Sequence, residues 1–132
     1  MSATTDHSPL HDHVAQNDTF YRIYERYKPP TDVIAEIHEA LPQARVIVAT
    51  RYTCPDCARN VPRMARIAEH LPGWSWEIVQ TDVTPEQMHA LRVVRVPTFI
   101  VYGESGLEIG RIVENPASGS LAKDLLAIVQ PG

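Results

Sequence analysis

Two cysteines stand two residues apart in the run Cys54-Pro55-Asp56-Cys57, and they are the only cysteines in the chain. A structural cross-link gains most when it closes a long loop, so so short a ring is a poor staple. The pair points instead to redox chemistry or metal binding. A buried-strand pattern, Arg45 to Thr50, precedes the motif, and a helical pattern with Val61, Met64, Ile67 and Leu71 on one face follows it. A thiol at such a helix start meets unpaired backbone N–H groups and the positive end of the helix dipole, both of which favour a thiolate on the first cysteine. Cys54 is then the attacking group and Cys57, one turn on, the group that resolves the mixed disulfide. Asp56 lies inside the small ring, where its negative charge opposes the field acting on Cys54 and favours a more reducing dithiol. Arg59 is placed to screen that charge. A zinc site needs more ligands at close spacing; there is no second cysteine pair, and His70 and His89 are far apart, so metal binding is the weaker reading.

The elements that must position this pair are legible on either side. Phe20, Ile23, Tyr24 and Tyr27 have helical spacing after Asp18, a candidate N-cap, and Pro29-Pro30 ends the run. Thr31 is a candidate cap for a helix through Leu41, with Val33, Ile34 and Ile37 on its apolar stripe. After Pro72-Gly73, Trp74 to Gln80 alternates as a strand, and Asp82 to Arg92 reads as a short helix. Residues 97–102 and 107–113, joined by a Gly-Glu-Ser-Gly turn, predict an antiparallel hairpin, and Ser118 or Ser120 caps a last helix carrying Leu121, Leu125, Leu126 and Val129. The order is α-α-β-α-β-α-β-β-α, a single α/β domain over residues 19–132 with neither repeats nor an internal linker. Residues 1–18 are polar, with His7, His11 and His13 among Asp and Ser, and are read as a flexible tail rather than a metal site.

From about Val46 to Val129 the chain resembles the thioredoxin superfamily. Three features carry the resemblance: the Cys-Pro-Asp-Cys motif at a strand-to-helix junction, Pro62 five residues after Cys57, and Val96-Pro97-Thr98 just before the final hairpin. The resemblance implies a thioredoxin fold, a central mixed sheet flanked by helices, here with an N-terminal helical extension. It also implies a cis Val96–Pro97 peptide against Cys54, with the Val96 backbone pairing with substrate as an added strand. Catalysis falls to Cys54 and Cys57, with Pro55, Asp56 and Pro97 in support. Two positions depart from the family pattern. Thr53 stands where a tryptophan usually precedes the first cysteine, and Val48 stands where a buried aspartate usually serves the resolving cysteine.

The 132 residues allow one real core, with 44% hydrophobic residues and a formal charge of −4. That charge gives no general pull toward nucleic acid or anionic membrane, although arginines gather between Arg45 and Arg66. No run approaches the roughly 20 apolar residues of a membrane span, and the N-terminus lacks the charge and apolar run of a secretory signal, so a cytoplasmic setting is expected. The leading expectation is a thiol-disulfide oxidoreductase that reduces protein or small-molecule disulfides, needs no cofactor, and is recharged by an unidentified electron donor. The alternative is a non-catalytic binding module or redox sensor on the same fold, with metal delivery through the thiolates a weaker third.

Overall fold

The computed structural model describes residues 8–130. The element order is α1 Pro9–Ala15, α2 Asp18–Arg26, α3 Thr31–Ala40, β1 Ala44–Thr50, α4 Pro55–Ala68, β2 Trp74–Gln80, α5 Pro85–Ala90, β3 Thr98–Tyr102, β4 Glu108–Val113 and α6 Leu121–Val129. The strands form one mixed sheet in the order β2-β1-β3-β4. β1 runs parallel to β2 and antiparallel to β3, and β3 and β4 make the antiparallel hairpin.

β1 reads as a continuous apolar run because both of its faces are covered. Val46 and Val48 point into the larger core, with Phe20, Tyr24, Ile34, Ile37, Met64, Phe99 and Leu125. Ile47 and Ala49 point the other way, to a smaller core with Val79, Val93 and Ile100, against which Met88 and Leu91 pack. The larger core is thus supplied by α1, α2, α3, α4 and α6, and the smaller by α5 and the loop after it. At the corner leading into β2 the chain passes so close to Pro42 that a Cβ on Gly73 would sit 2.1 Å from the Pro42 carbonyl oxygen. Only glycine fits there.

The structure corrects the reading of residues 1–18 as a flexible tail. Residues 1–7, with His7, lie outside the described part, but Pro9–Ala15 is a helix. Ser8 caps it by accepting the His11 N–H at 3.1 Å, and Pro9 opens its first turn. Leu10 and Val14, one turn apart, are completely buried, and His13 is 5% exposed. Three inward-facing residues suffice because α2, α4 and β2 already offer α1 an apolar seat.

Smaller differences concern boundaries. Asn17, rather than Asp18, caps α2 by accepting the Phe20 N–H at 3.1 Å. Pro30 precedes α3, and Thr31 makes no capping bond. Ser120 caps α6. α5 is shorter than the stretch 82–92 because Asp82 and Val83 are spent in the turn that leaves β2.

Candidate active site

β1 ends at Thr50, and a three-residue loop, Arg51-Tyr52-Thr53, carries the chain to Cys54. Cys54 is itself the N-cap of α4: its Sγ accepts the Cys57 N–H at 3.2 Å. Pro55 takes the first helical position, where a missing N–H costs nothing. The two thiols are free and unequal in exposure, Cys54 at 7% and Cys57 at 0%. Burial and the neighbouring Cys54 thiol push the Cys57 thiol up to about 12. The Thr50 side chain and the Arg51 backbone N–H act in the opposite direction, each favouring its thiolate.

The second wall is the loop before β3. The Val96–Pro97 peptide is cis, and the Cys54 thiol donates to the Val96 carbonyl oxygen at 3.6 Å. The structure thus brings Cys54, Cys57 and the Val96 carbonyl together, with Pro97 next in the chain. Pro55 and Thr53 are exposed on the rim. Asp56 does not stand alone in the first turn: Arg59 Nη1 donates to its carboxylate at 2.9 Å, which offsets part of its charge at the dithiol. Val48 is completely buried in the larger core, so this face of β1 brings no carboxylate to Cys57.

A polar brace ties the proline loop to α4. The Glu114 N–H donates to the Pro97 carbonyl at 2.7 Å, and the Glu114 carbonyl accepts from Asn60 Nδ2 at 2.9 Å. Asn115 Oδ1 accepts from both Asn60 Nδ2 and Arg59 Nη1, each at 3.0 Å. These contacts hold Glu114 at φ 64°, a left-handed conformation that a side chain resists. Asn60, 1% exposed on a helix otherwise apolar on its inner face, was the one sequence signal for this brace.

A second brace reaches the loop before Cys54 from the N-terminal helices. Tyr52 stacks on His13, ring centroids 4.3 Å apart and planes within 9°, and meets Phe20 edge-on at 5.2 Å. Its hydroxyl donates to the His13 carbonyl oxygen at 2.5 Å. Burial among these rings pushes His13 down from 6.5 to about 4, so the imidazole is neutral near pH 7. Its Nε2 is buried without a hydrogen-bond partner. Sequence reasoning passed over Tyr52 and placed His13 in a flexible tail, because their pairing spans 39 residues and follows no local period.

A free dithiol at a strand-to-helix junction, facing a cis-proline loop across a mixed sheet, defines a protein of the thioredoxin class. A thioredoxin family model matches residues 3–124, and the chain belongs to the thioredoxin family. No curated protein sequence matches it. Among solved structures, a protein of unknown function from Pseudomonas aeruginosa is similar over 98% of both chains, with a TM-score of 0.76 and 17% identity. Thioredoxin from Trypanosoma brucei brucei is 28% identical, with a TM-score of 0.55, over 68% of this chain and 78% of that one. The NTD_N/C domain of the alkylhydroperoxide reductase AhpF from Enterococcus faecalis is 20% identical, with a TM-score of 0.60, over 85% of this chain and 52% of that one. The first of these likenesses takes in the N-terminal helices as well as the sheet. Among the described residues no helix is long and apolar enough to cross a membrane.

Proposed function

We propose that the protein is a cytoplasmic thiol-disulfide oxidoreductase that reduces disulfides of proteins or small molecules. The observation that carries this reading is the placement of Cys54: its sulfur caps α4, accepts the Cys57 N–H and faces the Val96 carbonyl. The Cys54 thiolate attacks one sulfur of the substrate disulfide; a Cys54–substrate disulfide forms, and the other substrate sulfur leaves as a thiolate. Cys57 then gives up its proton through water and attacks Cys54 Sγ, forming the Cys54–Cys57 disulfide and releasing the second substrate thiolate, which takes up a proton from water. Two electrons have passed to the substrate. An electron donor, itself a thiol or dithiol, returns the pair to the reduced form. Val96 and Pro97 form the backbone wall on which an extended substrate segment rests, and Asp56 and Pro55 set the entry to the ring. The family membership and the 28% identity to a thioredoxin support the reading.

The test is reduction of insulin disulfides and of glutathione disulfide by the isolated protein with dithiothreitol as donor. Wild type should exceed the dithiothreitol background, Cys54→Ser should fall to it, and Cys57→Ser, reduced and then freed of dithiothreitol, should accumulate a mixed disulfide. A wild-type rate equal to background for both substrates would reject the reductase reading in favour of a binding module or sensor.

A further inference from the structure

We infer that the Thr50 hydroxyl is the donor that stabilises the Cys57 thiolate while Cys57 attacks the Cys54 mixed disulfide, a role that rests on the reductase reading above. Thr50 is the last residue of β1 and is 0% exposed. Its Oγ1 is fully buried and forms no complete hydrogen bond with any partner. Side chains alternate along a strand, so Thr50 shares the face of Val46 and Val48, which belongs to the same buried core as Cys57. The Thr50 side chain is within interaction range of the Cys57 sulfur and favours its charged form.

An orphaned buried hydroxyl is costly, and a valine would fill the same space without that cost. In the dithiol state the Cys57 sulfur is a neutral thiol, a weak acceptor. When Cys57 ionises, the same sulfur becomes a strong acceptor and the orphaned donor is satisfied. Thr50 is therefore a group aimed at charge that develops during the step, needing no large rearrangement at that moment. Its one companion donor is the Arg51 N–H, while burial and the Cys54 sulfur oppose the charge. The electrons balance as in ordinary exchange: the Cys57 thiolate forms the bond to Cys54 Sγ, and the substrate thiolate leaves with the pair from the broken bond. Thr50 keeps its proton throughout.

Stopped-flow reaction of the reduced protein with substoichiometric 5,5′-dithiobis(2-nitrobenzoate) separates the two steps. Attack by Cys54 releases one coloured thiolate and resolution by Cys57 releases the second. Losing one charge-assisted donor lowers the thiolate fraction roughly 10- to 100-fold. The rise in nucleophilicity that accompanies a higher thiol pKa returns about half of this on a logarithmic scale. Thr50→Val should therefore slow the second phase roughly three- to tenfold between about pH 6 and 8, with the first phase unchanged. Thr50→Ser, which keeps the hydroxyl, should restore it. A second phase within twofold of wild type in Thr50→Val, or equal slowing of both phases, would overturn the inference. Absence of the first phase in wild type would reject the exchange reading itself, and the role of Thr50 with it.

Discussion

His13 makes the stability of the N-terminal helix depend on pH in a direction that can be worked out. The imidazole is buried between Tyr52 and Phe20, 5% exposed, with its basicity pushed down from 6.5 to about 4. Between those two values the unfolded chain binds a proton at His13 and the folded chain does not. Stability therefore rises with pH across this window, and the contribution is complete above about 6.5 and lost as pH falls toward 4. The full shift is worth about 3 kcal/mol, and going from pH 7.5 to 4.5 removes most of it. His13→Phe keeps a flat ring against Tyr52 and removes both the proton site and the orphaned Nε2. Urea unfolding of wild type and His13→Phe, followed by circular dichroism at both pH values, isolates the effect, since other groups titrate alike in the two. Wild type should lose about 2 kcal/mol more than the variant on acidification. Equal losses would show that the ring does not stay neutral in place, and the argument for it would fail.

Three other substitutions probe the site and its support. Asp56→His removes a negative charge from the first turn of α4 and should raise the dithiol's reduction potential by roughly 10–20 mV, read by equilibration against glutathione. The change is small because Arg59 already offsets the carboxylate, and an unchanged or lower potential would remove its electrostatic role. Asn60→Leu leaves the Glu114 carbonyl without its donor and should cost about 1–3 kcal/mol in urea unfolding. Gly73→Ala forces a Cβ onto the Pro42 carbonyl and should cost about 1–3 kcal/mol by the same assay.

The sheet and the dithiol were legible in the sequence because each is written locally. β1 announces itself by a continuous apolar run, Val46 to Ala49, and the Trp74–Trp76 alternation sets the face of β2. Cys54 and Cys57 declare themselves by type and spacing and Pro97 by the family resemblance, and the fold places the first thiol against the Val96 carbonyl. What supports the site was not legible. Asn60 could have been flagged as a polar residue on an apolar helix face, but its partners, the Glu114 carbonyl and Asn115, lie more than fifty residues away. Thr50 reads as an ordinary strand-ending threonine until its hydroxyl is seen to lack a partner beside a thiol.

The misreading of the N-terminal segment has a more general cause. Composition judges whether a segment can bury enough of its own apolar surface to offset its ordering entropy. Pro9–Ala15 fails that test alone, since Leu10 and Val14 are its only large apolar side chains facing inward. It docks because the rest of the domain presents Phe20, Tyr24 and Tyr52 to it, and because its histidines behave as aromatics. His13 stacks on Tyr52 and meets Phe20 edge-on, while His11 meets Tyr24 edge-on at 5.4 Å. A histidine counted as polar in a composition is, when neutral, a flat ring able to fill an aromatic cluster. The consequence reaches the chemistry: Tyr52, two residues before Cys54, is gripped by α1 through both its ring and its hydroxyl. The helix that looks like a tail therefore fixes the loop that leads into Cys54.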